Sequence, residues 1–277
     1  MSGSDWNMRS VVPEDALPAR EIDTTVPHIA RIYDFWLGGK DNFEVDREAG
    51  RRAAEANPAM YEGVRGNRAF LARSVRYLAG EAGVTQFLDL GTGIPAGNNT
   101  HEVAQAVAPG SRVVYVDNDP IVLAHARALL TGAAGETAYL DADIRDTAAV
   151  LAAAARTLDF SQPVGLMMIA VLHCVLDEDD PWGLVRELVA ALPPGSYLAL
   201  THPGSDFHPD RADAMLARLN RMMPQKITFR PREQVLRFFD GLEFVAPGLV
   251  RAPEWHPGSP EEAANPAEMW SGVARKP

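Results

Sequence analysis

Three aspartates, Asp89, Asp117 and Asp143, stand at or just beyond the ends of successive apolar runs in the first half of the chain. Asp89 is followed by Gly91 and Gly93, which let the backbone approach a ligand closely because they carry no Cβ atom. Carboxylates in such places accept hydrogen bonds, and Asp117, placed 24 residues after Gly93, suits the two hydroxyls of a ribose. The spacing therefore predicts a site for a ligand that contains a nucleoside.

The glycine spacing indicates which nucleoside ligand fits. A dinucleotide turn has the pattern Gly-x-Gly-x-x-Gly directly before a helix. Here the third glycine, Gly97, is late, and Pro95 and Asn98-Asn99 lengthen the turn. S-adenosylmethionine lacks a phosphate and fits better, with Asp143 and Ile144 placed at the edge and face of its adenine. An NAD-dependent oxidoreductase is the alternative that this turn disfavours.

The elements that must position these residues follow from the alternation of apolar runs and helical patterns. Strands are predicted at 84–90, 112–117, 136–141, 163–170, 195–201, 242–250 and 268–275. Helices are predicted at about 99–108, 120–131, 146–156, 180–192, 209–222 and 231–239. Such alternation predicts an α/β fold, a Rossmann-like, seven-stranded and mostly parallel sheet with helices on both faces.

The segment before the first strand has a different character. Residues 1–22 are polar and aperiodic, and we expect a flexible arm there. Residues 23–82 predict three helices, at about 29–37, 43–56 and 58–82, which would form an N-terminal helical cap over a core that spans 83–277.

Composition excludes several classes of protein. A formal net charge of −11 argues against non-specific nucleic-acid binding, which needs a basic surface. The beginning of the sequence lacks the apolar core of a signal peptide, and no run of about 18 apolar residues predicts a membrane span. One cysteine, Cys174, fits a reducing cytoplasm, and no Cys/His cluster has zinc spacing. The oligomeric state stays open.

Three stretches resemble a known family: PHIARIYDFWLGGKDNFEVD, FLDLGTGIPAGNNTHEVA and the VDNDP that follows. They resemble an actinobacterial group of S-adenosylmethionine-dependent methyltransferases, first catalogued as a domain of unknown function, over about residues 22 to 277. The resemblance implies a class I methyltransferase fold with a reversed final strand and S-adenosylmethionine as cofactor. The methyl acceptor stays open, because the family has no settled substrate.

Residues of the cap and of the loops complete the predicted cofactor site. Tyr33 and Asn42 are predicted to line a pocket that the cap closes over the cofactor. Arg65 and Arg68 lie one helical turn apart, and one of them is predicted to pair with the cofactor carboxylate, although a solvated helix face also explains them. The predicted cofactor-binding set further includes Thr92, Asn98, Asn118 and Ala170.

Two histidines are candidates for the general base. His173 follows the fourth strand, and its Leu-His pair before an acidic turn resembles small-molecule O-methyltransferases, in which the matching histidine is the base. Those enzymes usually have Asp-Trp next, whereas Cys174-Val175 stands here, so His173 could instead shape the loop. His202 is the second candidate. We expect methyl transfer to a small organic acceptor; the alternative is a non-catalytic sensor or scaffold that only holds the cofactor.

Overall fold

The computed structural model describes residues 22–129 and 136–277. The predicted arm, apart from its last residue, and the end of the helix predicted at 120–131 lie outside the described residues. The strands are β1 (Gln86–Leu90), β2 (Arg112–Asp117), β3 (Thr137–Asp141), β4 (Gly165–Ile169), β5 (Tyr197–Pro203), β6 (Glu243–Phe244), β7 (Val250–Arg251) and β8 (Met269–Arg275).

The described helices precede the first strand, alternate with the first five strands and continue after them. They are α1 (Ile29–Leu37), α2 (Glu44–Ala56), α3 (Met60–Gly80), α4 (Thr100–Val107), α5 (Pro120–Leu129), α6 (Thr147–Ala154), α7 (Pro181–Ala191), α8 (Pro209–Met222), α9 (Arg232–Leu236) and α10 (Pro260–Ala263). One-turn helices add Leu172–Cys174 and Asp177–Asp179 between β4 and α7.

The strands form one mixed sheet in the order β3-β2-β1-β4-β5-β8-β6, and β7 also pairs with β8. The first five strands are parallel, and β8 runs antiparallel to β5, so the predicted Rossmann-like architecture with a reversed final strand is confirmed. The strand predicted at 242–250 is instead two short strands, because the chain turns at Val245–Gly248, where Gly248 has φ +91°. The sheet therefore has eight strands rather than seven.

The sheet is buried on both faces, as a parallel sheet requires. All five residues of β1 are buried. Leu88 and Leu90 point into the hydrophobic core on one face, and Phe87 points into the core on the other, where it packs with residues of α3. From β1 the chain adds β2 and β3 on one side, and after β3 it returns to add β4 and β5 on the other side. The carboxyl end of β1, where the strand order reverses, is the usual place for a ligand in such a sheet.

The predicted cap has two parts with different neighbours. Helix α3 packs on the sheet, through residues such as Phe70 and Val75. Helices α1 and α2 pack with α8 around Ile32, Trp36 and Met215. The predicted boundary between cap and core at residue 82 thus falls between α3 and the sheet on which α3 packs. Helices α1, α2 and α8 make a separate helical layer.

A buried ion pair holds the first two helices together. The Nε of Arg31 donates to Asp46 Oδ1 at 3.2 Å, and both side chains are buried. The same carboxylate accepts the backbone N–H groups of His28 and Phe43, which fixes the beginnings of α1 and α2. Removing either partner would leave a buried charge unpaired, which is costly.

The glycine-rich block between α1 and α2 has a structural explanation. Asp34 accepts hydrogen bonds from the Asp41 N–H and from Asn42 Nδ2, at 2.9 and 2.7 Å. A Cβ on Gly39 would lie 1.9 Å from an Asp34 oxygen, so only glycine fits there. The block forms a tight turn that joins α1 to α2.

Candidate functional site

The glycine turn after β1 is fixed against β2. Gly91 and Gly93 have φ values of +67° and +66°, in the left-handed region that favours glycine. The Gly91 N–H donates to the Val116 carbonyl at 2.8 Å, and the Gly93 N–H donates to Asp117 Oδ2 at 2.8 Å. The turn is therefore held in one shape, with Gly91, Thr92 and Gly93 on the wall of a cavity at the carboxyl edge of the sheet.

The aspartates at the ends of β1 and β2 are buried in that wall. Thr100 donates its hydroxyl to Asp89 Oδ2 at 2.5 Å, yet burial raises the pKa of Asp89 to about 6. Asp117 accepts the N–H groups of Gly93 and Asp119, and burial nevertheless raises its pKa. A bound cation or hydroxyl group would offset this burial, so both carboxylates suit a ligand that carries such groups.

The end of the cavity beyond β3 contains Asn118, Asp143, Ile144 and Arg145. Hydrogen bonds from the Arg145 guanidinium hold the pKa of Asp143 below its usual range. Ile144 is buried and offers an apolar surface. A charged rim beside an apolar face is the arrangement predicted for the adenine.

Ala170, after β4, also lines the part of the cavity that is predicted to bind the cofactor and that we name the cofactor part. Its φ of +53° is left-handed, which is uncommon for a residue with a Cβ. The Ala170 N–H donates to the Thr201 hydroxyl at 2.9 Å, which holds the strained backbone in place. Backbone strain of this kind is often found at functional sites.

Helices α1 and α3 form the opposite wall. Arg68 donates Nη2 to the carbonyls of Gly97 and Asn98, at 3.0 and 3.3 Å, and so ties α3 to the loop after the glycine turn. Asn67 Nδ2 donates to the Tyr33 hydroxyl at 2.9 Å, and that hydroxyl donates to the Val64 carbonyl at 3.2 Å. Tyr33, Asn67 and Arg68 line the cavity. The predicted pairing of Arg68 with the cofactor carboxylate stays a prediction.

The cap is joined to the core at the mouth of the cavity. His28 Nδ1 lies 2.7 Å from Asp119 Oδ2. Burial acts to raise the pKa of Asp119, but the hydrogen bond and charge of His28 outweigh it, so that the pKa is lowered. This contact fastens the beginning of α1 to the loop after β2.

Four predicted site residues lie away from the cavity wall. Asn42 turns to Asp34 and Gly39 instead, within the glycine-rich turn. Arg65 pairs with Glu62 on the exposed face of α3. Asn98 is exposed, and its carbonyl serves Arg68. His202 is the fourth, and it belongs to β5 rather than to the loop after it.

His202 is a buried structural residue. Its Nδ1 lies 2.9 Å from the Pro203 carbonyl, and its Nε2 lies 2.9 Å from Nη1 of Arg230. An arginine can only donate, so Nε2 accepts and Nδ1 carries the proton. Both nitrogens are thus engaged, and burial lowers the pKa of His202. The structure therefore argues against His202 as the base.

His173 has a different environment. It lines the cavity, its side chain is buried, and its Nδ1 has no hydrogen-bond partner among the described residues. Burial, and secondarily the Arg230 charge, lowers the pKa of His173 to about 4. The imidazole is consequently neutral at pH 7. Its Nδ1 is enclosed by protein atoms, and Nε2, which also lacks a partner among the described residues, is the nitrogen left to contact a ligand.

Arg230 fixes the turn that contains His173. Its guanidinium donates to the carbonyls of Leu172 and Val175, at 2.9 and 2.7 Å, and to Asp177 Oδ1 at 2.7 Å. The Thr228 N–H also donates to the His173 carbonyl at 2.8 Å. The position of His173 is therefore set by a segment more than 50 residues later in the chain.

Beyond His173 the cavity continues as an apolar chamber between the first helices and α8. We use the name apolar chamber for the part of the cavity lined by Trp36, Leu37, Met60, Met215, Leu219, Ile227 and Phe229. The wall of this chamber also includes a charged residue, Glu268, which directly precedes β8, and a polar residue, Asn57. Sequence reasoning did not select Asn67, Glu268 or the α8 residues for the site, because they carry no motif and reach the cavity only through packing.

S-adenosylmethionine fits the residues present in the cofactor part. A Cβ on Gly93 would meet nothing within 4 Å, so the glycine leaves open space on the cavity side. Arg68 Nε and Asn67 Oδ1 are buried, and within the described part of the chain they lack partners. An arginine, an asparagine amide and three acidic side chains thus lie on the wall of the space where a zwitterionic nucleoside would bind.

Solved structures of similar sequence share this fold. A DUF574 family protein from Streptomyces avermitilis is 45% identical, with a TM-score of 0.89, over 93% of this chain and 100% of that one. A protein from Thermobifida fusca, provisionally named a methyltransferase, is 40% identical, with a TM-score of 0.82, over 92% and 96% of the two chains.

A more distant structure shares the fold alone. The plantazolicin methyltransferase BpumL, solved with S-adenosylhomocysteine, is 10% identical, with a TM-score of 0.50, over 90% of this chain and 95% of that one. No curated protein matches the chain. In the part of the chain that the structure covers, no helix has both the length and the apolar character needed to cross a membrane.

The sequence from residue 15 to residue 277 matches the S-adenosyl methyltransferase family. This match covers the glycine turn, the three aspartates and the helices that enclose the cavity. Together with the two similar actinobacterial structures, it favours a methyltransferase over the sensor and oxidoreductase alternatives. The chain therefore belongs to the S-adenosyl methyltransferase family, and its cofactor is S-adenosylmethionine.

Proposed function

We propose that the protein methylates a hydroxyl group of a small organic acceptor, with His173 as the general base. The observation that carries the proposal is a neutral, mostly buried histidine on the wall of the cavity whose Nε2 makes no hydrogen bond among the described residues. An acceptor hydroxyl bound in the chamber can donate its hydrogen bond to this nitrogen.

When bound, S-adenosylmethionine supplies an electrophilic methyl group. With the cofactor bound, an acceptor oxygen lone pair would form the bond to the methyl carbon, and the carbon–sulfur bond would break with its electron pair left on a neutral thioether. The hydroxyl proton passes to His173 and then to water. As the new carbon–oxygen bond forms, this proton becomes strongly acidic, so a base with a pKa of about 4 suffices.

The remaining residues align and enclose the reactants. We infer that Asp117 holds the ribose hydroxyls, that Asp89 and Arg68 hold the ammonium and carboxylate, and that Asp143 and Ile144 hold the adenine. Helix α1 covers the cavity with Tyr33 and Trp36, which excludes water. Alignment and exclusion of water are the main contributions that a protein makes to a displacement of this kind.

The test compares His173→Ala with His256→Asn, a histidine outside the cavity lining. Each variant is titrated with S-adenosylhomocysteine and then assayed with methyl-labelled cofactor and fractionated cell extract. We expect His173→Ala to keep its affinity for S-adenosylhomocysteine and lose turnover by 10²-fold or more, the usual contribution of a general base. His256→Asn should retain both properties. Full turnover by His173→Ala would refute the base role.

A further inference from the structure

Glu268 is a carboxylate on the wall of the apolar chamber whose presence the proposed chemistry leaves unexplained. Its side chain is 18% exposed and lies between the beginnings of two helices. Its carboxylate accepts a hydrogen bond from the Asn57 side chain, and the Asn57 carbonyl accepts the N–H of Met60, the first residue of α3. It also lies near His208, whose carbonyl accepts the Ala212 N–H in the first turn of α8. Met60 and Ala212 line the cavity beside it.

The Glu268 carboxylate is held in one orientation. Its Oε2 accepts a hydrogen bond from Asn57 Nδ2 at 2.9 Å. The Asn57 amide cannot rotate freely, because its Oδ1 accepts the Ala59 N–H at 3.1 Å. The Glu268 carbonyl accepts the Gly204 N–H at 3.0 Å, which fixes the backbone to the end of β5. A side chain fixed at both ends is suited to select a ligand.

The second carboxylate oxygen of Glu268, Oε1, accepts no hydrogen bond from the described residues. Its Oε1 lies 3.9 Å from Nε2 of His208, a half-exposed imidazole, and this distance is too long for a hydrogen bond. Over residues 22–129 and 136–277, no lysine or arginine forms an ion pair with Glu268. A partly buried carboxylate without a paired cation gains free energy from a cationic ligand.

The positively charged groups on the cavity wall do not neutralise the charge of Glu268. Its lining guanidinium groups, Arg68 and Arg145, lie in the cofactor part, where Arg145 pairs with Asp143 and Asp179. The apolar chamber therefore attracts cations and repels anions. Its aliphatic and aromatic walls favour a flat or hydrocarbon body.

We propose that Glu268 binds a protonated amine on the acceptor, so that the substrate is an apolar, ring-containing molecule with a hydroxyl at one end and an ammonium group at the other. This assignment of the substrate class rests on the proposed function only for the identity of the hydroxyl. The ammonium site itself follows from Glu268 and its surroundings.

The sheet sets the spacing between the two ends. His173 follows β4, and Glu268 precedes β8, while β5 pairs with both strands on its two sides. Two strand spacings separate β4 from β8, or roughly 10 Å. The hydroxyl and the ammonium group are consequently several bonds apart on the acceptor, with the ring between them against residues such as Met215 and Phe229.

The test measures binding of three phenols of one shape and different charge to the protein saturated with S-adenosylhomocysteine. Tyramine carries an ammonium group, 4-ethylphenol is neutral, and 3-(4-hydroxyphenyl)propanoate is an anion. Calorimetry with the wild type should give the order tyramine, ethylphenol, propanoate from tightest to weakest. Glu268→Gln should weaken tyramine binding by about tenfold or more and leave ethylphenol unchanged, since a hydrogen bond to a charged group is worth about that factor.

Glu243→Gln is the matched control, because Glu243 is exposed on β6 and pairs there with Arg275. It should keep the wild-type order, and both variants should bind S-adenosylhomocysteine as the wild type does. Equal binding of the three probes, tighter binding of the anion, survival of the preference in Glu268→Gln, or no binding of any probe at millimolar concentration would each overturn the assignment. Tyramine bound but never methylated would instead count against the hydroxyl and His173 chemistry.

Discussion

Alanine at Gly91 should mainly lower the stability of the fold, whereas alanine at Gly93 should mainly weaken cofactor binding. Both glycines adopt nearly the same left-handed conformation, with φ of +67° and +66°. Each alanine then costs about 1–2 kcal/mol of backbone strain. The two sites differ in what the new methyl group meets, so the pair separates a folding effect from a binding effect.

The surroundings set the magnitudes. A Cβ on Gly91 would lie 2.1 Å from Cγ2 of Val171, and the backbone must shift to relieve the clash. Overpacking of this kind adds roughly 1–3 kcal/mol, for a total near 2–5 kcal/mol. A Cβ on Gly93 meets nothing within 4 Å and projects into the cavity. Gly93→Ala should therefore cost about 1–2 kcal/mol in folding but weaken the cofactor by about tenfold or more.

Urea denaturation gives the free energy of unfolding, and calorimetry with S-adenosylhomocysteine gives the affinity. Gly97→Ala is the control from the same loop, because Gly97 has neither a left-handed φ nor a neighbour within 4 Å of the added Cβ. It should change stability by no more than about 0.5 kcal/mol. Equal stability losses at Gly91 and Gly93, with affinity unchanged in Gly93→Ala, would refute the assignment of this turn to the cofactor.

Three further predictions concern the buried polar groups. Asp89 has a pKa of about 6 against an ordinary 3.8, so its contribution to stability is fully present below pH 3.8 and is lost as the pH rises through 6. In urea titrations the free energy of unfolding of Asp89→Asn should therefore rise by roughly 3 kcal/mol relative to that of the wild type between pH 3.8 and pH 6. A difference in unfolding free energy that does not change with pH would contradict the raised pKa. Asp117→Ala and Asp117→Asn should both lose affinity for S-adenosylhomocysteine by more than about tenfold in calorimetry, since each carboxylate oxygen already accepts an N–H and an amide group cannot replace both; unchanged affinity would make Asp117 only a turn residue. Arg230→Met should lower the free energy of unfolding by about 3 kcal/mol or more, because it leaves the carbonyls of Leu172 and Val175 and the ring of His202 without a donor, and a loss below about 1 kcal/mol would show that this cation is dispensable.

The order of the elements was predictable because each depends on local sequence. Buried parallel strands read as apolar runs, and helices read as amphipathic patterns, so the alternation from β1 to β5 and the glycine turn were visible along the chain. The strand predicted at 242–250 failed at Pro247 and Gly248, where the chain turns between β6 and β7. A turn within a short apolar run leaves only a weak local signal.

The sequence could predict which residues line the cavity where those residues follow the ends of strands. Asp89, Asp117 and Asp143 follow neighbouring parallel strands, and such strands deliver their carboxyl ends to one edge of a sheet. Helical residues were harder to assign, since residues three positions apart differ in direction by only about 60°, which is enough to separate the cavity wall from solvent. Arg68 and Asn67 face the cavity, whereas Arg65 pairs with Glu62 on the exposed side of α3.

The sequence by itself determined the kind of fold and the places of the glycine turn and of the acidic residues around it, because these depend on periodicity and on strand ends. Only the tertiary structure decided which histidine is free. His173 is the first candidate base in the sequence and His202 the second, and in the structure Arg230, far along the chain, bonds Nε2 of His202, whereas the ring of His173 makes no hydrogen bond among the described residues. The apolar chamber, and the place of Glu268 on its wall, likewise result from the packing of α1 and α8 and from the position of β8. Contacts between such distant segments leave no local pattern in the sequence.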